Sequence, residues 1–397
     1  MVPGHEPTLV SDDRLAEVRL DGVTVLFAHP SGELYGSDRV LIESVQGVLG
    51  AGGRAVVALP VGGPLVDVLT AIGGEVRLLE TPVLRKSMLS PAGLFGLVRS
   101  LGPGFRAGRA LVKELGPDLV YVNTVTIPLW IAVGFLSRRP VLSHIHEAEG
   151  SASRAVNFAL NLPLLLASRV IANSSYSVAV LSRVFPRLAS RTQVVYNGVA
   201  GPAAPSASRL TLDGGLRILY VGRLSDRKGV DVAISALGIL RERGSEASLE
   251  IVGAVFPGYE WYEQQLRGQI NELGLAEWVQ LRGFESDIWP RVAHSDVVVV
   301  PSRYDEPFGN TAVEAVLAAR AVVVSDTSGL REAARGYRSS RTVRPGDPVA
   351  LADSLEGIVE AWAIVREDAS ADRLSALERH SPDLYRQRIA HVTLELL

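Results

Sequence analysis

The sequence predicts an α/β protein of two doubly wound domains, each a mostly parallel sheet with helices on both faces. Three observations lead there. Short β-branched runs bounded by Gly, Pro or Asn alternate with longer segments of helical period, the pattern of strands joined by crossover helices. Several of those runs are apolar throughout, as strands buried on both faces should be. The chain of 397 residues exceeds one ordinary domain and suits two.

In chain order, residues 1–20 include Ser11-Asp12-Asp13-Arg14 and lack the basic start and apolar core of a secretory signal, so they read as a flexible tail. The first domain is expected over residues 21–199. Its strand candidates are Val23–Ala28, Ala55–Leu59, Leu119–Asn123, Val141–His144, Val170–Asn173 and Val194–Tyr196. A Gly-, Pro- and Ser-rich stretch at Ala200–Gly215 then reads as an interdomain linker. The second domain, residues 216–377, has strand candidates at Arg217–Val221, Leu249–Val252, Val297–Val300 and Ala321–Ser325. The remaining residues, 378–397, read as a C-terminal helix. Val23–His29 leads into a polar, Gly-containing loop and a helix from about Asp38; Arg217–Gly222 leads into a similar loop and a helix from about Val230. This weak echo suggests two domains of like architecture, with ligands expected where the carboxyl ends of both sheets face a shared cleft.

Composition excludes several classes. Zero cysteines rule out disulfides, thiolate catalysis and cysteine-based metal or iron–sulfur sites, and make a reducing, cytoplasmic compartment the simple expectation. A formal net charge of -3 gives no pull toward nucleic acid, which is not expected as a partner. The longest apolar stretch, Leu119 to Ser137, contains Asn123, Thr124, Thr126 and Pro128, so it fits a buried strand, a turn and a helix better than a membrane span.

Three segments carry candidate chemistry. After the first strand of the second half, Tyr220-Val-Gly-Arg-Leu-Ser-Asp-Arg-Lys-Gly229 runs into a helix, placing Arg223 and Lys228 beside a helix N-terminus that favours an anion such as a diphosphate. A solvated basic loop paired with Asp226 is the plain alternative. The spacing of Gly222 and Lys228 is not that of a Walker loop, and no strand runs into Gly-x-Gly-x-x-Gly.

Val297 to Ala315 reads as a buried strand, a loop and a helix from about Thr311, with Glu306 in the loop and Glu314 in the first helical turn. Two carboxylates flanking exposed backbone N–H groups suit a polyhydroxy ligand with its phosphate at the helix start. Local spacing alone favours a capping box, Thr-x-x-Glu, for Thr311 and Glu314. At another strand end, Ser143-His-Ile-His-Glu-Ala-Glu149 gathers two histidines and two acids. We take His144 and His146, at i and i+2, to point to opposite sides of a continuing strand, which argues against a shared metal. There is also no Asp-x-Asp pair for a divalent ion, so no metal and no cofactor is expected.

Together these elements resemble the GT-B retaining glycosyltransferases of glycosyltransferase family 4 (glycosyl transferases group 1), of the bacterial glycolipid and polysaccharide type. The residues that carry the resemblance are Tyr35-Gly-Ser-Asp38, His146-Glu147, Ala172-Asn-Ser174, Tyr196-Asn-Gly-Val199, Val221-Gly-Arg-Leu with Lys228-Gly229, Ile251-Val-Gly253 and Glu306-Pro-Phe-Gly-Asn-Thr-Ala-Val-Glu314. The last is similar to the family's Glu-x7-Glu element.

The resemblance implies a GT-B fold of two Rossmann-like domains facing a central cleft, an acceptor-binding first domain and a nucleotide-sugar-binding second. It implies that Arg223 and Lys228 bind the donor diphosphate, Glu306 with the backbone of Phe308 and Gly309 holds sugar hydroxyls, and Asn310 and Thr311 offer N–H groups to phosphate. By the same resemblance Glu314 binds ribose rather than capping the helix, His146 approaches the sugar or its phosphate, and Gly36 with Ser37 lies near the diphosphate. Many relatives have a second glycine where this chain has Ser37.

The implied activity is retaining transfer of a hexose or deoxyhexose from a nucleotide sugar to a glycan or lipid-linked acceptor in cell-envelope glycoconjugate synthesis. Catalysis would rest on positioning and on stabilising the departing diphosphate, without metal. The C-terminal segment would cross back to the first domain. A non-catalytic nucleotide-sugar-binding module and a GT-B epimerase are the alternatives. Finally, Leu84–Leu115 interleaves Arg85, Lys86, Arg99, Arg106, Arg109 and Lys113 with apolar residues and one acid, Glu114. It reads either as a surface for peripheral contact with anionic membrane on the inner face of the cell membrane, or as an amphipathic helix with a solvated basic face.

Overall fold

The computed structural model describes residues 18–34, 36–84, 91–147, 150, 152–256 and 258–397, with residues 91–94 described in backbone only. Most of the predicted tail, Tyr35 of the first glycine loop, Glu149, and Arg85, Lys86, Met88 and Leu89 of the basic segment lie outside the described residues. The chain divides into two compact units, Met1–Gly198 with Pro382–Leu397, and Val199–Ser381.

The first unit runs β1 (Thr24–Ala28), α1 (Gly36–Gly50), β2 (Arg54–Leu59), α2 (Pro64–Ala71), β3 (Glu75–Leu78), α3 (Pro91–Leu115), β4 (Leu119–Val122), α4 (Pro128–Leu136), β5 (Val141–Ile145), α5 (Arg154–Asn161), β6 (Arg169–Ala172), α6 (Ser175–Ser182), α7 (Pro186–Ala189) and β7 (Gln193–Val194). Its sheet has the order β3-β2-β1-β4-β5-β6-β7, with every pair parallel. The second unit runs β8 (Arg217–Val221), α8 (Val230–Glu242), β9 (Ser248–Val252), α9 (Glu260–Glu272), β10 (Val279–Gly283), α10 (Trp289–His294), β11 (Val297–Val300), α11 (Asn310–Leu317), β12 (Ala321–Ser325), α12 (Ser328–Ala334), β13 (Ser340–Val343), α13 (Pro348–Glu360) and α14 (Trp362–Arg379). Its sheet, β10-β9-β8-β11-β12-β13, is also parallel throughout.

Both orders are doubly wound. The strand sequence reverses direction between β1 and β4 in the first sheet and between β8 and β11 in the second, and crevices at such switch points are where ligands bind. The central strands are apolar throughout and form the buried cores: Val25–Ala28, Val120–Val122, Ile218–Tyr220 and Val297–Val300 are all below a tenth exposed. Three strands escape the sequence reading, β3, β10 and β13, and all three are sheet edges. They carry Glu75, Arg77, Arg282 and Arg341, with Glu75 paired to Arg54 of β2 and Arg282 to Glu250 of β9, so they lack the apolar run that marked the others.

The C-terminal residues do not form one helix. The chain leaves helical geometry at His380 and Ser381, and a new helix, α15 (Pro382–Leu394), starts with Pro at its first position, where a missing N–H costs nothing. Helix α15 packs on α1 within the first unit, burying Tyr385, Ile389, Ala390 and Val392 beside Leu41 and Val45. Gly47 makes the approach feasible, since a Cβ there would sit 2.7 Å from the Arg386 carbonyl oxygen. Ser44 Oγ adds a hydrogen bond of 2.7 Å to the Tyr385 hydroxyl, and Arg386 Nε donates to Glu43 at 2.7 Å.

The stretch read as a linker is irregular in backbone but fastened to the second unit. Arg209 Nε donates to Asp296 Oδ1 at 2.9 Å, and the buried Arg320 donates to the Ser206 carbonyl at 3.0 Å and to Ser206 Oγ at 2.7 Å.

Candidate functional site

In the second unit the loops after β8 and β11, the two strands flanking the switch point, meet through named bonds. Gly229 caps the start of α8 in the left-handed region (φ 68°), where a residue without Cβ is at ease. It also lets the loops touch, because a Cβ there would lie 2.0 Å from the Pro301 carbonyl oxygen. The Arg303 amide donates to the Arg227 carbonyl at 2.9 Å, joining the same loops.

This approach brings Lys228 Nζ to 2.7 Å from Glu306 Oε1, with Arg227 at 3.1 Å from the same oxygen and Ser302 Oγ donating to it at 2.9 Å. Glu306 is 5% exposed. Burial by itself would raise its carboxyl, but the charges of Lys228 and Arg227 and the hydrogen bonds from Lys228 and Ser302 outweigh it and hold Glu306 below the ordinary carboxylate value. Arg223 lies in the same loop, its guanidinium carbon 3.4 Å from the centre of the Phe256 ring, a cation–π contact that fixes the side chain in place.

Helix α11 begins at Asn310, one residue before the expected Thr311, and its N-cap is Gly309 (φ 114°) with no side-chain capping bond. The capping-box reading of Thr311 and Glu314 is therefore wrong. Thr311 already lies inside the helix, where its hydroxyl cannot serve as the cap, and Glu314 is a buried residue of the first turns. Asn310 and Thr311 supply the first backbone N–H groups of α11. Phe308 is buried, its ring edge-on to that of His380 at 5.7 Å, and the Gly329 amide holds the loop by donating to the Glu306 carbonyl at 3.0 Å. Of the predicted residues of this unit, the structure brings Arg223, Lys228, Glu306, Phe308, Gly309, Asn310, Thr311 and Glu314 to the loops and helix starts at one end of the sheet.

In the first unit, Gly36 and Ser37 open α1, so this helix starts two residues before the predicted Asp38. His146 follows β5 and is 8% exposed. The expectation that His144 and His146 point to opposite sides is incorrect. Residues two apart on a strand share a face, and the two rings lie 3.9 Å apart, centre to centre. Burial pushes His146 down to about 3, and positive charge on His29 would add to this; burial likewise sends His144 well below the ordinary histidine value. Glu147 accepts from the Thr124 hydroxyl and, at 3.4 Å, from the Val125 amide. Burial raises its carboxyl above the usual range. Among the described residues no three His, Asp or Glu side chains converge as a metal-binding group.

Sequence reasoning missed the partners. His29 follows β1 and Asn123 follows β4, neighbouring strands in the sheet, and Asn123 bridges His29 and His146. Asp38 accepts from His29 at 2.6 Å. Asn123 was visible only as a polar interruption of an apolar stretch; the strand order, which places it beside both histidines, is not written locally. Ser302 and Arg227 were hidden for a similar reason, since their role depends on two loops far apart in sequence.

The comparisons agree with this anatomy. Residues 207–372 match the model of glycosyl transferases group 1, and residues 57–200 that of glycosyltransferase family 4. Glycogen synthase of Mycobacterium tuberculosis is 30% identical over 309 residues, covering 73% of this chain and 72% of that protein. D-inositol 3-phosphate glycosyltransferase of Paenarthrobacter aurescens is 35% identical over 45% of this chain and 42% of its own. Among solved structures, Anabaena HepE in complex with UDP superposes with a TM-score of 0.78 at 26% identity, covering 94% of this chain and 100% of that one. The same protein has been solved with UDP-glucose. The chain belongs to glycosyltransferase family 4, the group 1 glycosyl transferases, and is a glycosyltransferase of GT-B fold with two Rossmann-like domains.

Proposed function

We propose that the chain transfers a hexose or deoxyhexose from a nucleotide-sugar donor to a glycan or lipid-linked acceptor, with retention of configuration and without a metal. The observation that carries this is the cluster of Arg223, Lys228 and Glu306 at the β8–β11 switch point, next to the first N–H groups of α11. Two cations and a helix start suit a diphosphate whose negative charge grows as it leaves. Glu306, kept ionised by Lys228, suits sugar hydroxyls, and Glu314 suits the ribose. His146, with Gly36 and Ser37 at the start of α1, is the first unit's contribution to donor handling. HepE was crystallised with UDP and with UDP-glucose, which supports testing uridine donors first.

The test is a panel of UDP-, GDP- and dTDP-sugars, radiolabelled in the sugar, with products separated into free sugar, glycan and lipid extract. Arg223→Ala and Lys228→Ala should each slow transfer by about 10²–10³, the cost of one lost transition-state donor, and excess EDTA should leave transfer intact. Wild-type turnover by both variants, or a loss reversed only by added metal, would overturn the proposal.

We propose also that the first unit meets an anionic lipid surface. Helix α3 exposes Phe95, Val98 and Leu101, and a groove of about 560 Å³ beside it is lined by Arg106, Arg109, Lys113 and Arg139. None of the described helices is long and apolar enough to cross a membrane, so such contact would be peripheral. Sedimentation with anionic but not neutral liposomes, declining with salt, is expected; absence of binding at low salt would refute it.

A further inference from the structure

The polar groups at the switch point of the first sheet form one connected chain. His29 Nε2 lies 2.6 Å from Asp38 Oδ1, Asn123 Nδ2 lies 3.0 Å from His29 Nδ1, and His146 Nε2 lies 2.9 Å from Asn123 Oδ1. All four residues are below a tenth exposed, so water does not stand in for a missing partner. We infer that Asp38, His29 and Asn123 are positioning residues that hold His146 as the neutral tautomer protonated on Nε2, leaving Nδ1 as the ring's hydrogen-bond acceptor.

The proton positions follow link by link. A carboxylate only accepts, so His29 carries its proton on Nε2 and points it at Asp38. Its Nδ1 is then an acceptor, which the Asn123 amide meets with an N–H, and the other end of that amide is necessarily its oxygen. An oxygen facing His146 requires a proton on His146 Nε2. The buried His144 ring at 3.9 Å, itself bonded through Nδ1 to the Tyr121 hydroxyl at 2.7 Å, makes a cationic His146 still less favourable. Reversing the amide would invert every step: His29 would need a second proton, and His146 would carry its own on Nδ1.

The consequence is chemical selectivity. A ring whose Nε2–H is committed to Asn123 offers only a bare Nδ1, and among the described residues that nitrogen takes no hydrogen bond. Such an atom accepts from a hydroxyl and has nothing to donate to a phosphate oxygen.

The experiment is long-range ¹H–¹⁵N correlation of the histidine rings in the full-length chain at neutral pH, without donor or acceptor, with His146→Gln for assignment. The expected spectrum shows His146 with a pyrrole-like Nε2 and a pyridine-like Nδ1. Asn123→Leu should lose that pattern, moving Nε2 toward an exchange-averaged position, while Asn123→Asp, which keeps an acceptor for His146 but has no N–H for His29 Nδ1, should keep His146 protonated on Nε2 and change the His29 resonances. A His146 protonated on Nδ1 or doubly protonated in the wild type would overturn the inference, as would an unchanged tautomer in Asn123→Leu. Should Asn123→Leu fail to fold, the wild-type spectrum and Asn123→Asp still decide. Absence of sugar transfer by the wild type would sink the proposed function and leave this spectrum unaffected, so the two failures are distinguishable.

Discussion

Acid should destabilise the first unit through His146, a ring that burial keeps neutral in the folded chain. The folded chain holds this ring down to about 3, chiefly by burial, whereas in the unfolded chain it titrates at the ordinary value near 6.5. The sign follows from proton counting. Above about pH 6.5 neither state binds the proton and stability is unaffected; between there and about 3 only the unfolded state binds it, so stability falls as pH falls. Each pH unit in that window costs on the order of 1 kcal/mol, or roughly 3 kcal/mol by pH 4.5. His144 is depressed in the same direction and steepens the fall. For a unit of this size the His146 share corresponds to about 5–10 °C in melting temperature. Calorimetric melts of the wild type and of His146→Gln from pH 7.5 to 4.5 read it directly. The two should converge as pH falls, because the variant lacks one of the titrating rings. Parallel pH dependences would refute the reasoning, since they would mean that His146 protonates as readily folded as unfolded.

Three further outcomes are expected. Glu306→Gln should leave affinity for free nucleoside diphosphate within about twofold while slowing transfer by the equivalent of about 1.5–3 kcal/mol, a lost charged hydrogen bond; Glu314→Ala should weaken nucleotide and intact donor alike. Calorimetric titration of both variants checks this, and equal loss of nucleotide affinity in the two would contradict the division of roles. Gly47→Val should cost about 1–3 kcal/mol by forcing α15 from α1, read as a lower melting temperature and earlier proteolytic loss of the C-terminal helix. Unchanged melting and proteolysis would show that the close approach to Arg386 is unimportant.

What the sequence revealed was whatever is written in contiguous residues. Val297–Val300 and Ile218–Tyr220 announce buried strands because both of their faces are covered, and Glu306 and Glu314 announce themselves because strand, loop and helix follow one another directly. The edge strands β3, β10 and β13 stayed silent because one side of each meets solvent and keeps its charges. The supposed cap at Thr311 failed for a subtler reason. Gly309 turns the chain into the helix through its left-handed backbone with no side-chain cap, and a one-residue shift in where a helix begins turns a capping residue into an interior one. The chain from Asp38 to His146 depends on β1, β4 and β5 lying side by side, a fact of topology that no local pattern encodes.

Helix α15 sets an order of events in the making of this protein. Its Tyr385, Ile389, Ala390 and Val392 belong to the same apolar core as Val25, Leu41 and Val57, yet they are separated from them by the whole of the second unit. Until α15 is made, one wall of the first unit's core lacks its covering helix, and Ser44 lacks the Tyr385 hydroxyl. The second unit, whose residues are contiguous, can close on itself in the meantime. A chain lacking α15 would leave Leu41 and Val45 without the helix that covers them, an apolar face that invites aggregation.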